Sequence, residues 1–156
     1  MARTLDSTDL RLLEALRDSP RASHAELARL VDIARGTVYS RLGRLEAEGV
    51  IASYVPTLDA VHAGFGVLAF TTLEINQGSH DQTTEALSEI VEIVEIHTVT
   101  GPGDLLCRIL ARSNDHLHDV LQQVTAVPTV SRCQSHLALS TSLSKPVIDV
   151  LLAGCR

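Results

Sequence analysis

The sequence has few cysteines, no long apolar run and no excess of positive charge, and each lack excludes a class of protein. Its three cysteines are an odd number without Cys-x-x-Cys spacing, which argues against a disulfide framework or a zinc site (Cys107, Cys133 and Cys155). No run approaches the roughly 18 apolar residues of a membrane span, and no apolar signal segment opens the chain. We therefore expect a reduced, cytoplasmic protein that does not enter a membrane.

Signals for catalysis and for metal sensing are also weak. The sequence contains no nucleophile motif, no paired carboxylates and no phosphate-binding loop, which disfavours a small metabolic enzyme. The seven histidines are scattered, and His116 and His118 lie two positions apart on a predicted helix, so they diverge. A metal sensor is therefore the weaker alternative. We expect no catalytic residue, no metal site and no cofactor.

The net charge of −6 argues against a uniformly basic nucleic-acid binder, but this charge is unevenly distributed. Residues 1–49 hold eight arginines and eight acidic residues, whereas residues 50–156 hold five basic and eleven acidic residues. A neutral half whose arginines cluster on one helix can still bind phosphate locally. The acidic half is not expected to touch DNA.

The length of 156 residues fits one mid-sized or two small domains.

Residues 23–48 carry the most informative pattern, two amphipathic segments separated by a short break. Ser23 and Glu26 have the spacing of a capping box, which opens a short helix. The break is Asp32-Ile33-Ala34. A second helix follows from Arg35 to about Glu48, and its inward positions are Val38, Leu42 and Leu45. Arginines and small hydroxyl residues on its outer side suit the DNA major groove, so the pattern predicts a helix-turn-helix.

The candidate DNA contacts on the second helix are Arg35, Gly36, Thr37, Tyr39, Ser40, Arg41 and Arg44. Those at the helix start can meet phosphates or base edges, aided by free amides. Arg44 is expected to bind phosphate, and Tyr39 either contacts phosphate or packs against the next segment. The alternative is that the arginines belong to a solvated helix face. We favour DNA contact because a capped helix and a short turn precede them.

The flanks of this motif complete a small domain. Asp6 and Asp9 predict a capped first helix whose inner stripe is Leu10, Leu13 and Leu16. Gly49 is the expected left-handed residue after the recognition helix. The apolar segment 50–55 predicts a strand, which is either a wing or a linker strand that pairs with its twin in a dimer. We expect a DNA-binding domain over 1–52 and a linker strand and connection over 53–64.

Residues 65–156 alternate between strand and helix patterns. The predicted order is a strand at 65–75, a helix after Ser79, strands at 94–100 and 105–111, a helix after Ser113, a long strand from 130 to about 143 and an apolar tail at 147–152. The order βαββαβ is that of a ferredoxin-like domain, so the whole chain is predicted to be α+β. The first strand is apolar on both faces, and Leu68, Phe70, Val99 and Leu106 would leave a large apolar sheet face. We therefore expect a face-to-face homodimer at least.

The whole chain resembles the leucine-responsive/asparagine-regulator (Lrp/AsnC) family of bacterial transcription regulators. The matching motifs are Leu5-Asp6-x-x-Asp9, Arg41-Leu42-x-Arg44-Leu45-Glu46-x-x-Gly49-Val50-Ile51, Leu58-Asp59 before Gly64-Phe65-Gly66, and Thr100-Gly101-x-x-Asp104. The resemblance implies a winged helix-turn-helix that binds double-stranded DNA, joined to a domain that senses amino acids and makes oligomers. It also implies dimers that assemble into tetramers or octamers, with the effector between dimers.

The effector site implied by the resemblance lies in a glycine turn. Its candidate residues are Thr100, Gly101, Pro102, Gly103 and Asp104, with His97, His136, Leu137 and Ala138 at positions that influence the effector response in relatives. Glycine amides can receive a carboxylate, and Asp104 can pair with an α-amino group. The ordinary interpretation is a hairpin turn. A regulator that works without an effector, as an architectural or global DNA-binding protein, is therefore the alternative function.

Three departures from the family pattern are visible in the sequence. Ala34 stands where relatives usually place serine before the recognition helix, so this cap is expected to be weaker by roughly 1 kcal/mol. Arg35 and Gly36 replace proline and threonine, which predicts a different base preference. The effector turn lacks the first acid and the aromatic residue common in relatives, since Pro102 and Leu105 stand at those positions. We therefore expect a less polar pocket edge.

Overall fold

The computed structural model describes residues 5–154, and the chain divides into two units. The described residues of the first unit are 5–56 and 143–154, and the second unit is 57–142. The elements in chain order are α1 (Ser7–Asp18), α2 (His24–Val31), α3 (Arg35–Ala47), β1 (Val67–Ile75), α4 (His80–Ser88), β2 (Ile93–Thr98), β3 (Leu105–Ala111), α5 (Asn114–Ala126), β4 (Val130–Ala138) and α6 (Val147–Ala153). Cys155 lies outside the described residues. No helix among residues 5–154 is long and apolar enough to cross a membrane.

Helix α1 begins with the predicted capping box. The Asp9 N–H donates to Asp6 Oδ1 at 2.8 Å, and the Asp6 N–H donates to Asp9 Oδ2 at 3.2 Å. The predicted inner stripe of this helix is confirmed for Leu13, which is buried, and for Leu16, which packs against the core, but Leu10 is half-buried and lies outside that core. The buried side chains of α1 are Asp9, Leu12 and Leu13. The buried side of α1 therefore carries the carboxylate of Asp9 beside Leu12 and Leu13.

The helix-turn-helix forms where the sequence predicts it. Ser23 and Glu26 make the reciprocal capping bonds of α2. Asp32 ends α2 in the left-handed region (φ 54°), which Asp tolerates better than most residues, and the Ile33 N–H donates to the Ala28 carbonyl at 3.0 Å. The core of this unit is formed by Leu12, Leu27, Ala28, Val31, Val38 and Leu42. The predicted inner positions of α3 are therefore confirmed.

Helix α3 ends in the predicted glycine cap, but the strand expected after it is absent. Gly49 has φ 72°, and the Val50 N–H donates to the Leu45 carbonyl at 2.9 Å, as in a Schellman motif. Residues 50–56 form no strand in the described chain. A strand needs a neighbour to accept and donate its main-chain hydrogen bonds, and one protomer offers this segment none.

The chain end belongs to the first unit, contrary to the predicted domain 65–156. The expected long strand stops at Ala138, and the apolar tail is the helix α6 that packs on α1. Leu152 is buried, and Arg17 Nη1 lies 3.4 Å from Asp149 Oδ1. Pro146 stands at the N-cap of α6, where the missing N–H of proline costs nothing. The boundary differs because apolar burial, and not chain order, decides where a short helix packs.

The second unit has the predicted βαββαβ order. Its antiparallel sheet has the strand order β2-β3-β1-β4. Helices α4 and α5 supply Leu87, Leu117, Val120 and Val124 to the core that covers one face of the sheet. The Ser79 position at the start of α4 is as predicted, but its hydroxyl donates to the Asn76 carbonyl at 2.6 Å and makes no capping bond.

The other face of the sheet is less apolar than predicted. Leu68 and Leu106 are half-buried, and Phe70 is 39% exposed in the single chain. Across the same face, Arg108 forms an ion pair with Glu95, and His97 Nε2 lies 3.2 Å from Glu95 Oε2. We call this the open face. It combines an apolar strip on β1 and β3 with a charged edge on β2.

Candidate DNA-binding and effector-binding sites

The first turn of α3 presents uncapped main-chain amides and exposed side chains. Ala34 makes no side-chain capping bond, as predicted, and only its carbonyl accepts, from the Thr37 N–H at 2.9 Å. Five of the predicted contacts are exposed: Arg35, Gly36, Thr37, Tyr39 and Ser40. Arg35 has no ion-pair partner among the described residues. This end of the helix can therefore offer N–H groups and a guanidinium to an anion.

Tyr39 packs against a residue that the sequence did not single out. The rings of His24 and Tyr39 meet edge to face, with centroids 5.8 Å apart. His24 is the first residue of α2, and Tyr39 stays 70% exposed. The expected alternative, packing of Tyr39 against a following strand, is not seen, because no strand forms there. His24 lies three residues before Leu27 in the short capped helix α2. That position was the sequence signal for a contact between His24 and the next helix.

Arg41 and Arg44 are bound to carboxylates of α1, a contact that the sequence analysis missed. Arg41 Nη1 lies 2.7 Å from Asp9 Oδ1 and 2.7 Å from Asp6 Oδ2. Arg44 Nη2 lies 2.8 Å from Asp9 Oδ1 and 2.9 Å from Asp9 Oδ2. The Asp9 side chain is 1% exposed, whereas the two arginine side chains are 24% and 35% exposed. We call these four residues the ion cluster.

The ion cluster perturbs the protonation of its exposed members. The hydrogen bond from Arg41 lowers the pKa of Asp6, helped by the bond from the Asp9 N–H. The hydrogen bonds to Asp6 and Asp9 raise the pKa of Arg41. Both shifts favour the charged forms of Asp6 and Arg41, so this pair stays ionised at neutral pH. The sequence signal for it was an acidic residue at the third position of α1, on the side that carries leucines.

The glycine turn is held against β1 by its main chain. Gly103 has φ 93°, and a Cβ at this position would lie 2.2 Å from Thr72 Cγ2 and 3.2 Å from the Leu73 carbonyl oxygen. Gly101 has φ 104° but faces open space. Glycine at position 103 therefore lets the chain pass close to β1, whereas glycine at position 101 only allows the backbone conformation of the turn.

The carboxylate of Asp104 has a structural partner on one of its oxygens, which the sequence did not predict. Asp104 Oδ2 accepts from the Ile75 N–H at 2.8 Å, and the Asp104 N–H donates to the Leu73 carbonyl at 2.8 Å. The side chain thus continues the β1–β3 ladder next to the irregularity at Glu74 and Ile75. Its second oxygen, Oδ1, makes no hydrogen bond among the described residues. Thr100, Gly101 and Pro102 beside it are exposed.

The remaining candidate effector residues do not gather at this turn within one chain. His97 is in register with Leu106, close to the turn, whereas His136 is in register with Phe70. The glycine turn lies beside the end of β1 at Glu74, and Phe70 precedes Glu74 by four residues. His136 is therefore about 13 Å away from the turn along the strand. Leu137 also points to the opposite face from His136 and Ala138, because side chains alternate along β4. The four residues expected to form the pocket floor therefore do not lie on one face of a single chain, and their role in a site between dimers stays a prediction.

Family models match both units of the chain. A model described as winged helix-turn-helix DNA-binding matches residues 5–52, and a model described as the Lrp/AsnC ligand binding domain matches residues 68–148. The chain belongs to the Lrp/AsnC family. The predicted resemblance and the α+β fold are thereby confirmed.

Relatives and solved structures agree with this membership. The HTH-type transcriptional regulator Ptr1 of Methanocaldococcus jannaschii is 31% identical over 138 residues, which cover 88% of this chain and 93% of Ptr1. AsnC of Escherichia coli shares the fold with a TM-score of 0.87 at 20% identity, covering 94% and 99% of the two chains. The L-Met complex of a transcriptional regulator from Neisseria meningitidis matches with a TM-score of 0.78 at 24% identity, covering 94% and 99%.

These matches assign the protein to DNA-binding transcriptional regulators with a ligand-binding domain. The Lrp/AsnC family and the matched relatives are regulators, not enzymes. Within residues 5–154, no group of three or more His, Cys, Asp or Glu side chains could hold a metal ion.

Proposed function

We propose that this Lrp/AsnC regulator reads double-stranded DNA with the first two turns of α3. The observation that supports this most is the uncapped start of the helix, where exposed side chains surround amides that no side chain satisfies. The proposed contact surface consists of Arg35, Gly36, Thr37, Tyr39 and Ser40. Arg41 and Arg44, whose guanidinium groups bind Asp6 and Asp9, are not included in it. A helix start of this kind enters the major groove in helix-turn-helix proteins.

The contact surface is tested with a DNA duplex that the wild-type protein selects from a random-sequence library. Arg35→Ala is expected to weaken binding to this duplex by about 1–3 kcal/mol if the guanidinium contacts a base. Arg132→Ala replaces an exposed arginine of the second unit and is the matched control. Equal binding by both variants would contradict the proposed surface.

We further propose that an amino acid or a related small acid binds at the glycine turn and changes DNA affinity. The support is chemical: the exposed turn offers glycine amides to a carboxylate, and Asp104 Oδ1 offers a charge to an ammonium group. The L-Met complex of the Neisseria relative supports an effector of this class. Linkage requires that an effector which changes DNA affinity tenfold has its own affinity changed tenfold by DNA.

Two substitutions at Asp104 separate ligand binding from structure. Asp104→Asn keeps an oxygen that can accept from the Ile75 N–H but removes the charge, whereas Asp104→Ala removes both. A thermal-shift screen against the twenty amino acids should reveal a ligand, since one present at 100 times its Kd adds about 2.7 kcal/mol of stability. We expect Asp104→Asn to lose this shift and keep its stability. Retention of the shift would show that the carboxylate does not bind the ligand.

We also propose that the protein acts as a homodimer or a larger assembly of dimers. The apolar strip of the open face and the exposed Val55, Leu58 and Val61 support association. A two-fold dimer would bind a pseudo-palindromic operator with half-sites about 10 bp, or a multiple of that, apart. Light scattering at micromolar concentration tests the assembly, and a monodisperse monomer would contradict it.

A regulator that works without an effector is the second candidate. It is favoured by the bond from the Ile75 N–H to Asp104, which gives the turn a structural role of its own. In that case no amino acid shifts the melting temperature, and Asp104→Ala changes only stability.

A further inference from the structure

The ion cluster joins the start of α1 to the middle of α3 through a buried carboxylate. Asp9 accepts from Arg41 and Arg44, which lie three residues apart on the same side of α3. Asp6, which caps α1, accepts from Arg41 as well. Two carboxylates face two guanidinium groups, so the formal charge of the cluster is zero.

This zero charge bears on DNA binding. Of the three arginines on α3, only Arg35 has no carboxylate partner among the described residues. An arginine that neutralises a phosphate releases counterions and contributes about 0.9 to the slope of log affinity against log salt. Arg41 and Arg44 already have anionic partners on their own chain. A phosphate would have to compete with these carboxylates for the charge of the two guanidinium groups.

The geometry of the cluster also fixes which side of α3 faces outward. Val38, Leu42 and Leu45 pack inward, but apolar contacts are non-directional and tolerate small rotations of a helix. Charge-assisted hydrogen bonds from planar guanidinium groups are directional. Arg44 meets both oxygens of Asp9, which leaves little freedom for rotation or sliding of the helix.

We propose that Asp9 is a positioning residue for DNA recognition, and that Arg41 and Arg44 orient α3 through it and do not contact DNA. The inference rests on the proposed use of the first turns of α3 as the reader. Loss of the cluster should leave the protein's attraction for DNA in general unchanged. It should reduce discrimination between a preferred sequence and other sequences, because the reading residues are no longer held in one orientation.

The test measures the full chain against two duplexes at several salt concentrations. One duplex is selected by the wild-type protein from a random-sequence library, and the other is a scramble of the same composition. Arg44→Met is expected to lose roughly ten- to hundredfold in affinity for the selected duplex. Its affinity for the scramble should stay within about twofold, and its salt slope should not change. Arg35→Met is the comparison, with a slope lower by about 0.9 and weaker binding to both duplexes.

Arg44→Lys is the second variant, and it keeps the test informative if Arg44→Met does not fold. Lysine keeps the charge that a phosphate contact needs but has no planar guanidinium group, and Arg44 reaches both oxygens of Asp9 through Nη2. Lost discrimination in Arg44→Lys supports positioning. The proposal is overturned if Arg44→Met lowers the salt slope as Arg35→Met does, since Arg44 then binds phosphate. It is also overturned if Arg44→Met keeps full discrimination. An unchanged slope in Arg35→Met would instead refute the proposed contact surface.

Discussion

The two units of this regulator hold their candidate functional residues in different ways. In the first unit, side chains distant in sequence hold the recognition helix, through the ion cluster and the core leucines. In the second unit, the main chain of β1 holds the glycine turn, through bonds to Asp104 and the close approach of Gly103. A substitution in the ion cluster therefore changes the position of α3 through electrostatics. A substitution in the glycine turn changes the position of the turn through backbone geometry.

The difference also bears on which residues remain available to a ligand. On α3, the arginines in the middle of the helix are used internally and the first turn is left exposed. At the turn, the main chain and one carboxylate oxygen are used internally, and the exposed residues are Thr100, Gly101, Pro102 and Asp104.

Asp9→Asn is the strongest test of whether the ion cluster holds α3 in the first unit. It leaves Arg41 and Arg44 facing a neutral amide, and breaking a buried ion pair costs about 3 kcal/mol or more. We expect the free energy of unfolding to fall by about that amount in urea titrations, with faster amide hydrogen exchange in α1 and α3. Asp6→Asn, at an exposed carboxylate, is the matched control and should lower the stability much less than Asp9→Asn. Equal effects would mean that burial of Asp9 does not matter.

The backbone half of the comparison is tested by Gly103→Ala. The new Cβ would clash with Thr72, and φ of 93° is unfavourable for alanine, so we expect a loss of about 2–3 kcal/mol. Gly101→Ala meets no neighbour and should cost only about 1–2 kcal/mol for its positive φ. Hydrogen exchange should place the Gly103→Ala effect in β1 and β3. If both variants lose the same stability, the close approach to Thr72 is not a constraint.

A third prediction extends the comparison to the chain end, which stabilises the first unit and not the second. Leu152 of α6 is 9% exposed, so Leu152→Ala should cost about 2 kcal/mol through lost burial and a cavity. Val150→Ala, on the exposed side of the same helix, should change stability by less than about 0.5 kcal/mol. Increased exchange in α1 is the expected signature of Leu152→Ala. Increased exchange confined to β4 would contradict the assignment of α6 to the first unit.

The smallest expected effect is a dependence on alkaline pH in the first unit. Partial burial and the hydrogen bond that Tyr54 donates to Glu46 raise the pKa of Tyr54 to about 12, from 10.0. The folded protein binds this proton more tightly than the unfolded chain. The stability that Tyr54 contributes is therefore present below pH 10 and is lost as the pH rises from 10 to 12. The stability difference between wild type and Tyr54→Phe should shrink over that range, and a constant difference would contradict the raised pKa.

Local patterns made much of the fold predictable. The capping boxes of α1 and α2, the inner positions of α3 and the Gly49 cap all depend on residues within a few positions of one another. The order βαββαβ follows from the same periodicities. The strand expected at 50–55 does not form within the single chain, and its pairing with a twin in a dimer stays a prediction. Its apolar pattern is local, but a strand also requires a partner that the single chain does not provide at that place.

The candidate sites were predicted less completely because they depend on distant partners. Arg41 and Arg44 were interpreted from their place on α3 alone, and Asp9 lies 32 and 35 residues away. Asp104 was interpreted from the glycine turn, and Ile75 lies 29 residues away. His136 and Leu137 were grouped as neighbours, but the pleat of β4 sends them to opposite faces.

The sequence by itself determined where helices begin and end, which faces are apolar, which family the motifs resemble and where a glycine turn connects two strands. Each of these depends on hydrogen bonds and burial within about one helical turn or one strand. The tertiary structure alone decided that Arg41 and Arg44 bind α1, that Asp104 continues the β1–β3 ladder and that α6 packs on α1. Such contacts form only when separately folded elements pack together, because packing brings the two partner groups close and removes water from around them.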